Sequence, residues 1–193
     1  MVGPQQSGTT PETDLLFVCT GNICRSAYAA FWMRQAVGDR LTVASAGTGA
    51  VVGSACHPEI AALFPRQEIV DGHVAQQLTR PLVQGAGLVV GMTREHRSQV
   101  VRVFPGALRR TVTLLEVALL APHLDTSLLP STPEQRIRAI GPAIMTVRGS
   151  VPTDESFDVE DPFGRDADAF RDMAVVMDRA LPILRDLILG ESA

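Results

Sequence analysis

A cysteine and an arginine stand close together near the start of the chain, in Cys19-Thr-Gly-Asn-Ile-Cys-Arg25. The apolar run 15–18 precedes them, and a segment with helical periodicity begins at Ser26. This order predicts a strand, a tight loop and then a helix. The backbone N–H groups of such a loop and the N-terminus of the helix converge on one small concavity, which binds anions readily.

The residue types in this loop suit attack on a phosphate monoester. A helix N-terminus and a neighbouring arginine stabilise a thiolate, which is the nucleophilic form of cysteine. The planar guanidinium of Arg25 can bind two phosphate oxygens at once, a geometry that lysine lacks. The same spacing also arises by chance around a buried cysteine that only packs. The preceding strand, Gly21 inside the loop and the helix from Ser26 favour the catalytic interpretation.

Apolar runs and helical patterns alternate along the chain. The runs predict strands over residues 15–18, 41–45, 88–91 and 111–114. The patterns predict helices over residues 26–37, 57–63, 80–84, 94–103, 115–120, 134–147 and 167–189. Gly141-Pro142 should interrupt the sixth helix, and Pro182 should kink or break the last. The alternation predicts an α/β fold, a doubly wound, four-stranded parallel sheet of flavodoxin-like topology with helices on both faces.

Residues 18–26 resemble the phosphate-binding loop of the low-molecular-weight protein tyrosine phosphatases. Shorter matches to that family are Ser45-Ala-Gly-Thr, His73-Val-Ala-Gln-Gln-Leu-Thr, Leu88-Val-Val-Gly-Met and Asp161-Pro-Phe. The resemblance covers about residues 14–120 and 155–190. It implies one phosphatase domain over residues 14–193 and protein-tyrosine-phosphatase activity through a cysteinyl-phosphate intermediate, with no cofactor and no metal.

The resemblance also implies a role for each residue of the loop. Cys19 is the expected nucleophile, and Arg25 is the expected phosphate-binding cation. Ser26 is expected to donate a hydrogen bond to the Cys19 sulfur, and its hydroxyl could also cap the first helix. The other expected phosphate-binding positions are Thr20, Gly21, Asn22, Ile23 and Cys24.

Two residues inside the loop carry further expectations. Asn22 tolerates left-handed backbone angles better than most residues, and the loop needs such a residue. The family pins the equivalent asparagine through side-chain hydrogen bonds, and Ser45 and His73 occupy the matching positions. Cys24 could form a disulfide with oxidised Cys19 and protect it, or it could be only a small buried side chain.

The leaving phenolate needs a proton, so the chemistry also requires a general acid. Asp161 is the expected acid, because the family's acid occupies an Asp-Pro shortly before the last helix and Pro162 stiffens the loop. Asp158 and Glu160 are acidic neighbours that could take its place. Phe163 is expected to form one wall against the substrate ring.

The sequence differs from the family mainly at positions expected to contact the aromatic ring of the substrate. Gly164 stands where many members carry a second aromatic residue, and residues 50–52 are Ala-Val-Val where another aromatic is frequent. Ala27 replaces the usual proline after the motif serine, and Gly87 replaces an acidic residue before the third strand. We therefore expect that phosphoryl transfer is preserved and that a tyrosine ring is bound more weakly.

Two other classes of function stay open. An arsenate reductase uses the same fold and first loop, but it needs relay thiols, and Cys56 is the one cysteine outside the loop. A non-catalytic phosphate-binding regulator has no need of a nucleophile and an acid together. The expected substrate is a phosphorylated protein that carries phosphotyrosine, or a small aryl phosphate.

Composition limits the partners and the compartment. With 193 residues and a net charge of −4, the chain predicts one domain without the basic face of a nucleic-acid-binding protein. No apolar run reaches the length of a membrane span, and a nucleophilic thiol favours a reducing cytoplasm. Residues 1–13 predict a disordered N-terminal extension. Residues 121–152 predict an insertion, either a surface insertion with no catalytic part or a lid or docking element near the site.

Overall fold

The structure is a computed structural model that describes residues 13–150 and 157–191. Within these residues, four strands form one parallel sheet. They are β1 (Thr13–Cys19), β2 (Val43–Gly47), β3 (Ala86–Gly91) and β4 (Thr111–Thr113). The order across the sheet is β2-β1-β3-β4, so the predicted flavodoxin-like, doubly wound topology is confirmed. β2 begins two residues later than the sequence predicted.

Seven α-helices surround this sheet in the described part of the chain. They are α1 (Arg25–Val37), α2 (Pro58–Ala62), α3 (Arg80–Gly85), α4 (Arg94–Val103), α5 (Leu114–Leu120), α6 (Pro133–Val147) and α7 (Ala167–Leu189). Side chains of α3 and α4 pack with Leu16 and Val18 on one face of β1. Side chains of α1, α5, α6 and α7 pack with Leu15 and Phe17 on the other. The continuous apolar run of β1 is therefore buried on both faces, as a central parallel strand requires.

The position of β1 decides where the site lies. Cys19 ends β1 and pairs in register with Gly47 at the end of β2. On the other side, the Met92 N–H after β3 donates to the Val18 carbonyl at 2.9 Å. The chain order reverses at β1, and the crevice beyond the strand ends at such a point is where ligands bind in open α/β sheets.

The predicted interruption of α6 at Gly141-Pro142 is wrong, and so is a break of α7 at Pro182, because both helices continue through their prolines. A kink at Pro182 stays a prediction. The fully buried side chains nearest these prolines are Ile140 and Ile144 in α6 and Leu181 and Leu184 in α7. Burial of an apolar face supplies most of the stability of a helix in a protein, so it outweighs the local cost of one proline.

The stretch predicted as an insertion has two parts: residues 121–132 are mostly exposed, whereas residues 133–147 form a packed helix. α6 lies within this stretch, and Ile137, Ile140 and Ile144 belong to the main core with none of their surface exposed. Arg136 of α6 also donates from Nε to the Leu187 carbonyl of α7 at 2.7 Å. Helix α6 is therefore part of the layer that covers the sheet.

Two further expectations concern the ends of the chain and the membrane. The predicted N-terminal extension, residues 1–13, lies outside the described residues except for Thr13, which begins β1. Across residues 13–150 and 157–191, no helix combines the length and the apolar character that a bilayer crossing requires.

Gly141 makes the close contact between α6 and the turn before β4. A Cβ atom added there would lie 2.5 Å from the Arg109 carbonyl oxygen and 2.8 Å from Arg110 Cα. Gly141→Ala should therefore lower the unfolding free energy by about 2 kcal/mol, although alanine has the higher helix propensity. Urea denaturation measures the change. Gly149→Ala is the matched control, because an added Cβ there meets no described atom within 4 Å; a Gly141→Ala variant as stable as this control would contradict the close packing.

Candidate active site

The loop between β1 and α1 turns the chain sharply before the helix starts at Arg25. Asn22 has a φ of 56°, and it is the one non-glycine residue in the described chain with a positive φ. No side chain caps α1, whose N-cap residue is Cys24. The predicted capping role of Ser26 is therefore wrong, since Ser26 lies within the first turn. The uncapped N–H groups of that turn are free to bind an anion.

The Cys19 thiol lies at the base of this loop and is nearly inaccessible, with 2% of the residue exposed. Its Sγ is 2.9 Å from Ser26 Oγ and 3.3 Å from the Asn22 backbone nitrogen. The sulfur is therefore within hydrogen-bonding distance of both a hydroxyl and a backbone amide. The contact that the sequence predicted between Ser26 and the thiol is thus present.

Asn22 is fully buried and holds the loop through both ends of its amide. Nδ2 donates to Ser26 Oγ at 3.0 Å and to Ser45 Oγ at 2.9 Å, and Oδ1 accepts from the Gln76 N–H at 2.9 Å. The contact from His73 differs from the prediction, because Nε2 donates to the Asn22 backbone carbonyl at 2.8 Å rather than to the side chain. Burial lowers the pKa of His73, which keeps the ring neutral at neutral pH.

Arg25 is 4% exposed, and its guanidinium is held through its two terminal nitrogens. Its Nη1 donates to the Val159 carbonyl at 3.1 Å, and its Nη2 forms an ion pair with the Asp161 carboxylate. The buried Nε has no hydrogen-bond partner among the described residues. A buried, unpartnered guanidinium N–H is costly unless a ligand satisfies it.

Asp161 faces the loop from the segment before α7. Its second carboxylate oxygen, Oδ1, accepts from the Phe163 N–H at 3.2 Å, and Phe163 itself is 60% exposed. Gly164 has a φ of 78°, a conformation that strains any side chain, so the chain turns directly after Phe163.

The two rival acids are engaged elsewhere. Asp158 accepts from the Arg94 backbone N–H at 2.7 Å and pairs with its guanidinium at 3.3 Å. Glu160 is paired with Arg165 at 3.0 Å on the surface. Neither residue lines the cavity above Cys19.

That cavity has a volume of about 200 Å³. Its lining residues are Cys19, Thr20, Gly21, Ile23, Cys24, Arg25, Gly49, Val51, Asp161 and Phe163. Most of the residues predicted from sequence therefore meet in one place. Asn22, Ser26, Ser45 and His73 do not line it, and their hydrogen bonds support the loop from behind. None of the described residues of 121–150 reaches it.

The sequence of the first two thirds of the chain decides the family. The family model described as low molecular weight phosphotyrosine protein phosphatase matches residues 14–121. The chain belongs to this family. It is accordingly a phosphatase of the low molecular weight type, as its first loop indicated.

Known relatives of this phosphatase differ in their named substrates. The chain is 35% identical over 100 residues to a protein-arginine-phosphatase of Geobacillus stearothermophilus, covering 52% of this chain and 68% of the relative. It is 33% identical over 93 residues to the low molecular weight protein-tyrosine-phosphatase Wzb of Escherichia coli (strain K12), covering 48% and 63%. A solved structure, the YwlE arginine phosphatase from Geobacillus stearothermophilus, shares the fold with a TM-score of 0.68 at 24% identity, covering 93% and 94%.

His96 is a residue of this phosphatase that sequence reasoning missed. It is 4% exposed and lies under the loop, with Nε2 3.0 Å from Thr20 Oγ1 and Nδ1 2.8 Å from Thr93 Oγ1. Burial lowers the pKa of His96 to about 4, and the Arg25 guanidinium acts in the same direction. Thr93 caps α4 through the His96 N–H, but nothing in the local sequence pattern indicates which way the histidine side chain faces.

Cys24 shares the loop with Cys19 and is also buried. Burial raises the pKa of the Cys24 thiol to about 12, and the negative charges of Cys19 and Asp161 add to this. Cys24 is therefore a thiol at neutral pH and a poor nucleophile. All three cysteines are free, and a redox role for Cys24 stays a prediction.

Metal ligation finds no support in the residues that the structure describes. No group of three or more His, Cys, Asp or Glu side chains among them is arranged to hold a metal ion. The candidate site consists of a thiol, a guanidinium, a carboxylate and backbone N–H groups.

The buried histidine under the loop makes stability depend on pH. An unfolded histidine titrates near 6.5 and folded His96 near 4, so between these values the unfolded state binds the extra proton. Stability is then complete above the unfolded pKa and declines as the pH falls toward 4. Lowering the pH from 7.5 to 5 should remove about 2 kcal/mol through His96.

Urea denaturation of the wild type and His96→Gln at both pH values measures this share. The variant should lose less stability than the wild type on acidification, and His123→Gln, at an exposed position, is the matched control. Equal losses in the wild type and His96→Gln would show that His96 does not carry the effect.

Proposed function

We propose that this chain is a protein-tyrosine-phosphatase that transfers the phosphoryl group of phosphotyrosine first to Cys19 and then to water. One observation carries the proposal: the Cys19 thiol, the Arg25 guanidinium with its unpartnered Nε, and the Asp161 carboxyl group line the same cavity. A nucleophile, an anion-binding fork and an acid together serve phosphoryl transfer, whereas a binding module needs only the fork.

In the first step the Cys19 thiolate attacks phosphorus, so an S–P bond forms as the P–O bond to tyrosine breaks. Asp161 gives its proton to the departing phenolate oxygen. In the second step the Asp161 carboxylate takes a proton from water as the water oxygen attacks phosphorus. The S–P bond breaks, inorganic phosphate leaves, and the Ser26 hydroxyl stabilises the thiolate that returns.

In the structure, Nη2 of Arg25 forms an ion pair with the Asp161 carboxylate. A phosphate group would bind Nε and Nη2 of Arg25 and so compete with Asp161 for Nη2. The displaced carboxyl group then faces the leaving oxygen. Arg25 keeps its orientation because Nη1 stays bound to the Val159 carbonyl.

The walls of the cavity favour an aromatic substrate. Ile23, Val51 and Phe163 present apolar surface above the phosphate cradle. A phosphoarginine guanidinium would bring N–H donors to these walls, and Asp161 is the one carboxylate among the lining residues. Burying such donors without acceptors is unfavourable. A tyrosine ring loses no hydrogen bonds there, although a single aromatic wall gives it a weak grip.

The compartment and the absence of a cofactor are parts of the same proposal. A cysteine nucleophile functions only while it is reduced, so the chain is expected to work in the cytoplasm. The steps above use only side chains and water. Arsenate reduction gains no support, because Cys56 does not line the cavity and could not act as a relay thiol there.

Hydrolysis of matched phosphotyrosine and phosphoarginine peptides, without added metal, tests the proposal. The kcat/KM for phosphotyrosine should exceed that for phosphoarginine by about tenfold or more. Cys19→Ser should fold and lose at least about a thousandfold in kcat, because only the nucleophile is removed. Cys56→Ser is the matched control and should keep its activity. A preference for phosphoarginine would overturn the substrate, and an active Cys19→Ser variant would overturn the mechanism.

The role of Asp161 predicts a dependence on the leaving group. Asp161→Asn should slow phenyl phosphate about a hundredfold more than p-nitrophenyl phosphate, because p-nitrophenolate leaves without a proton. Steady-state kcat values for both esters give the ratio. Asp158→Asn is the control and should leave the ratio unchanged; a larger change there would assign the acid to Asp158.

A further inference from the structure

We propose that His57 is a positioning residue that holds Phe163 in place as the aromatic wall of the cavity, and thereby sets the affinity for an aromatic substrate. The inference rests on the proposed function and extends it to a residue outside the cavity lining. His57 lies where the Cys19 loop, the start of α2 and the segment that carries Asp161 come together.

The backbone of His57 is tied to the loop. Its N–H donates to the Ile23 carbonyl at 2.8 Å, and Ile23 is one of the walls of the cavity. Pro58 then begins α2, for which His57 is the N-cap: Nδ1 accepts from the Glu59 N–H at 3.3 Å. With Nδ1 as an acceptor, a neutral imidazole carries its proton on Nε2. The bond to Ile23 therefore holds the backbone of His57, and the bond from Glu59 holds its ring.

The imidazole ring lies between two phenylalanines. It stacks on Phe170 with centroids 4.6 Å apart and an interplanar angle of 19°, and Phe170 is 2% exposed in α7. It meets Phe163 edge-on, with centroids 6.2 Å apart at 83°. Among the described rings, His57 is the one within reach of Phe163. The buried Phe170 thus supports His57, and His57 supports the exposed Phe163.

These contacts from Phe170 through His57 to Phe163 set the width of the cavity. Ile23 and Phe163 line the cavity together, and both are connected to His57. Without the imidazole ring, Phe163 loses the ring contact that it makes with His57, and its half-exposed side chain can turn into solvent. The substrate would then lose binding affinity at its aromatic ring and not at its phosphate group. The phosphate binds to the loop and to Arg25, and the hydrogen bonds and ring contacts of the His57 side chain go to neither.

Two substitutions of His57 distinguish the role of its ring from its role as the N-cap of α2. His57→Asn keeps an acceptor for the Glu59 N–H and removes the ring, since asparagine is a good N-cap. His57→Phe keeps a ring and removes the acceptor. The probes are inorganic phosphate, which fills the cradle alone, and benzylphosphonate, which adds a ring. Both are used as competitive inhibitors of p-nitrophenyl phosphate hydrolysis, and Tm is recorded for each variant.

His57→Asn should raise the Ki of benzylphosphonate about three- to tenfold and leave the Ki of phosphate within about twofold, with kcat and Tm near the wild-type values. His57→Phe should show the opposite pattern, with a lower Tm and a near-normal Ki for benzylphosphonate. Phe163→Ala should raise the Ki of benzylphosphonate, and adding His57→Asn to it should cause no further increase, because both changes remove the same wall.

The outcomes distinguish this inference from the function on which it rests. An unchanged ratio of the two Ki values in His57→Asn, or an equal rise in both, would overturn the positioning role while the wild type still hydrolyses phosphotyrosine. Additive effects of His57→Asn and Phe163→Ala would overturn it as well. A wild type that binds neither probe would overturn the proposed function itself.

Discussion

Asn22 adopts a left-handed backbone conformation at the point where β1 turns toward α1, and hydrogen bonds to both its side chain and its main chain keep it there. A non-glycine residue in this region costs about 1–3 kcal/mol. Its bonds to Ser26, Ser45, Gln76 and His73 each contribute about 1 kcal/mol, so together they offset that cost. The turn brings the backbone N–H groups around Cys19, and the phosphate cradle exists only while Asn22 stays in this conformation.

A second constraint joins segments that are distant in the chain. The Val159 N–H donates to the Met92 carbonyl after β3 at 2.8 Å, and the Val159 carbonyl accepts from Arg25 at 3.1 Å. This residue therefore attaches the segment before α7 to both the sheet and the first loop. Asp161 follows two residues later, so the proposed acid and Arg25, the proposed phosphate-binding cation, are positioned by one short connection. Phe163 lies on the same segment, so the position of the proposed aromatic wall depends on the same connection as the position of the proposed acid.

Two histidines brace the loop from behind without lining the cavity. His73 is bonded to the Asn22 carbonyl and His96 to the Thr20 hydroxyl, and burial lowers the pKa of each, so both stay neutral at neutral pH. Neutral rings suit this position, because a protonated His96 would place a second cation close to Arg25. The positive charge facing the phosphate is then concentrated in one guanidinium whose geometry is held by the Val159 carbonyl.

The sequence by itself determined the class of fold and most of the residues that line the cavity, because both rest on local signals: the buried run of β1, the Asn22 turn and the motif from Cys19 to Ser26. Only the tertiary structure decided what depends on packing between distant segments. Burial of Ile140 and Leu181 carries α6 and α7 through their prolines, and contacts with residues distant in the chain, Phe170 for His57 and Thr20 for His96, connect the two rings to the site. A propensity acts over a few residues, whereas the direction in which a side chain is buried depends on every element that packs around it.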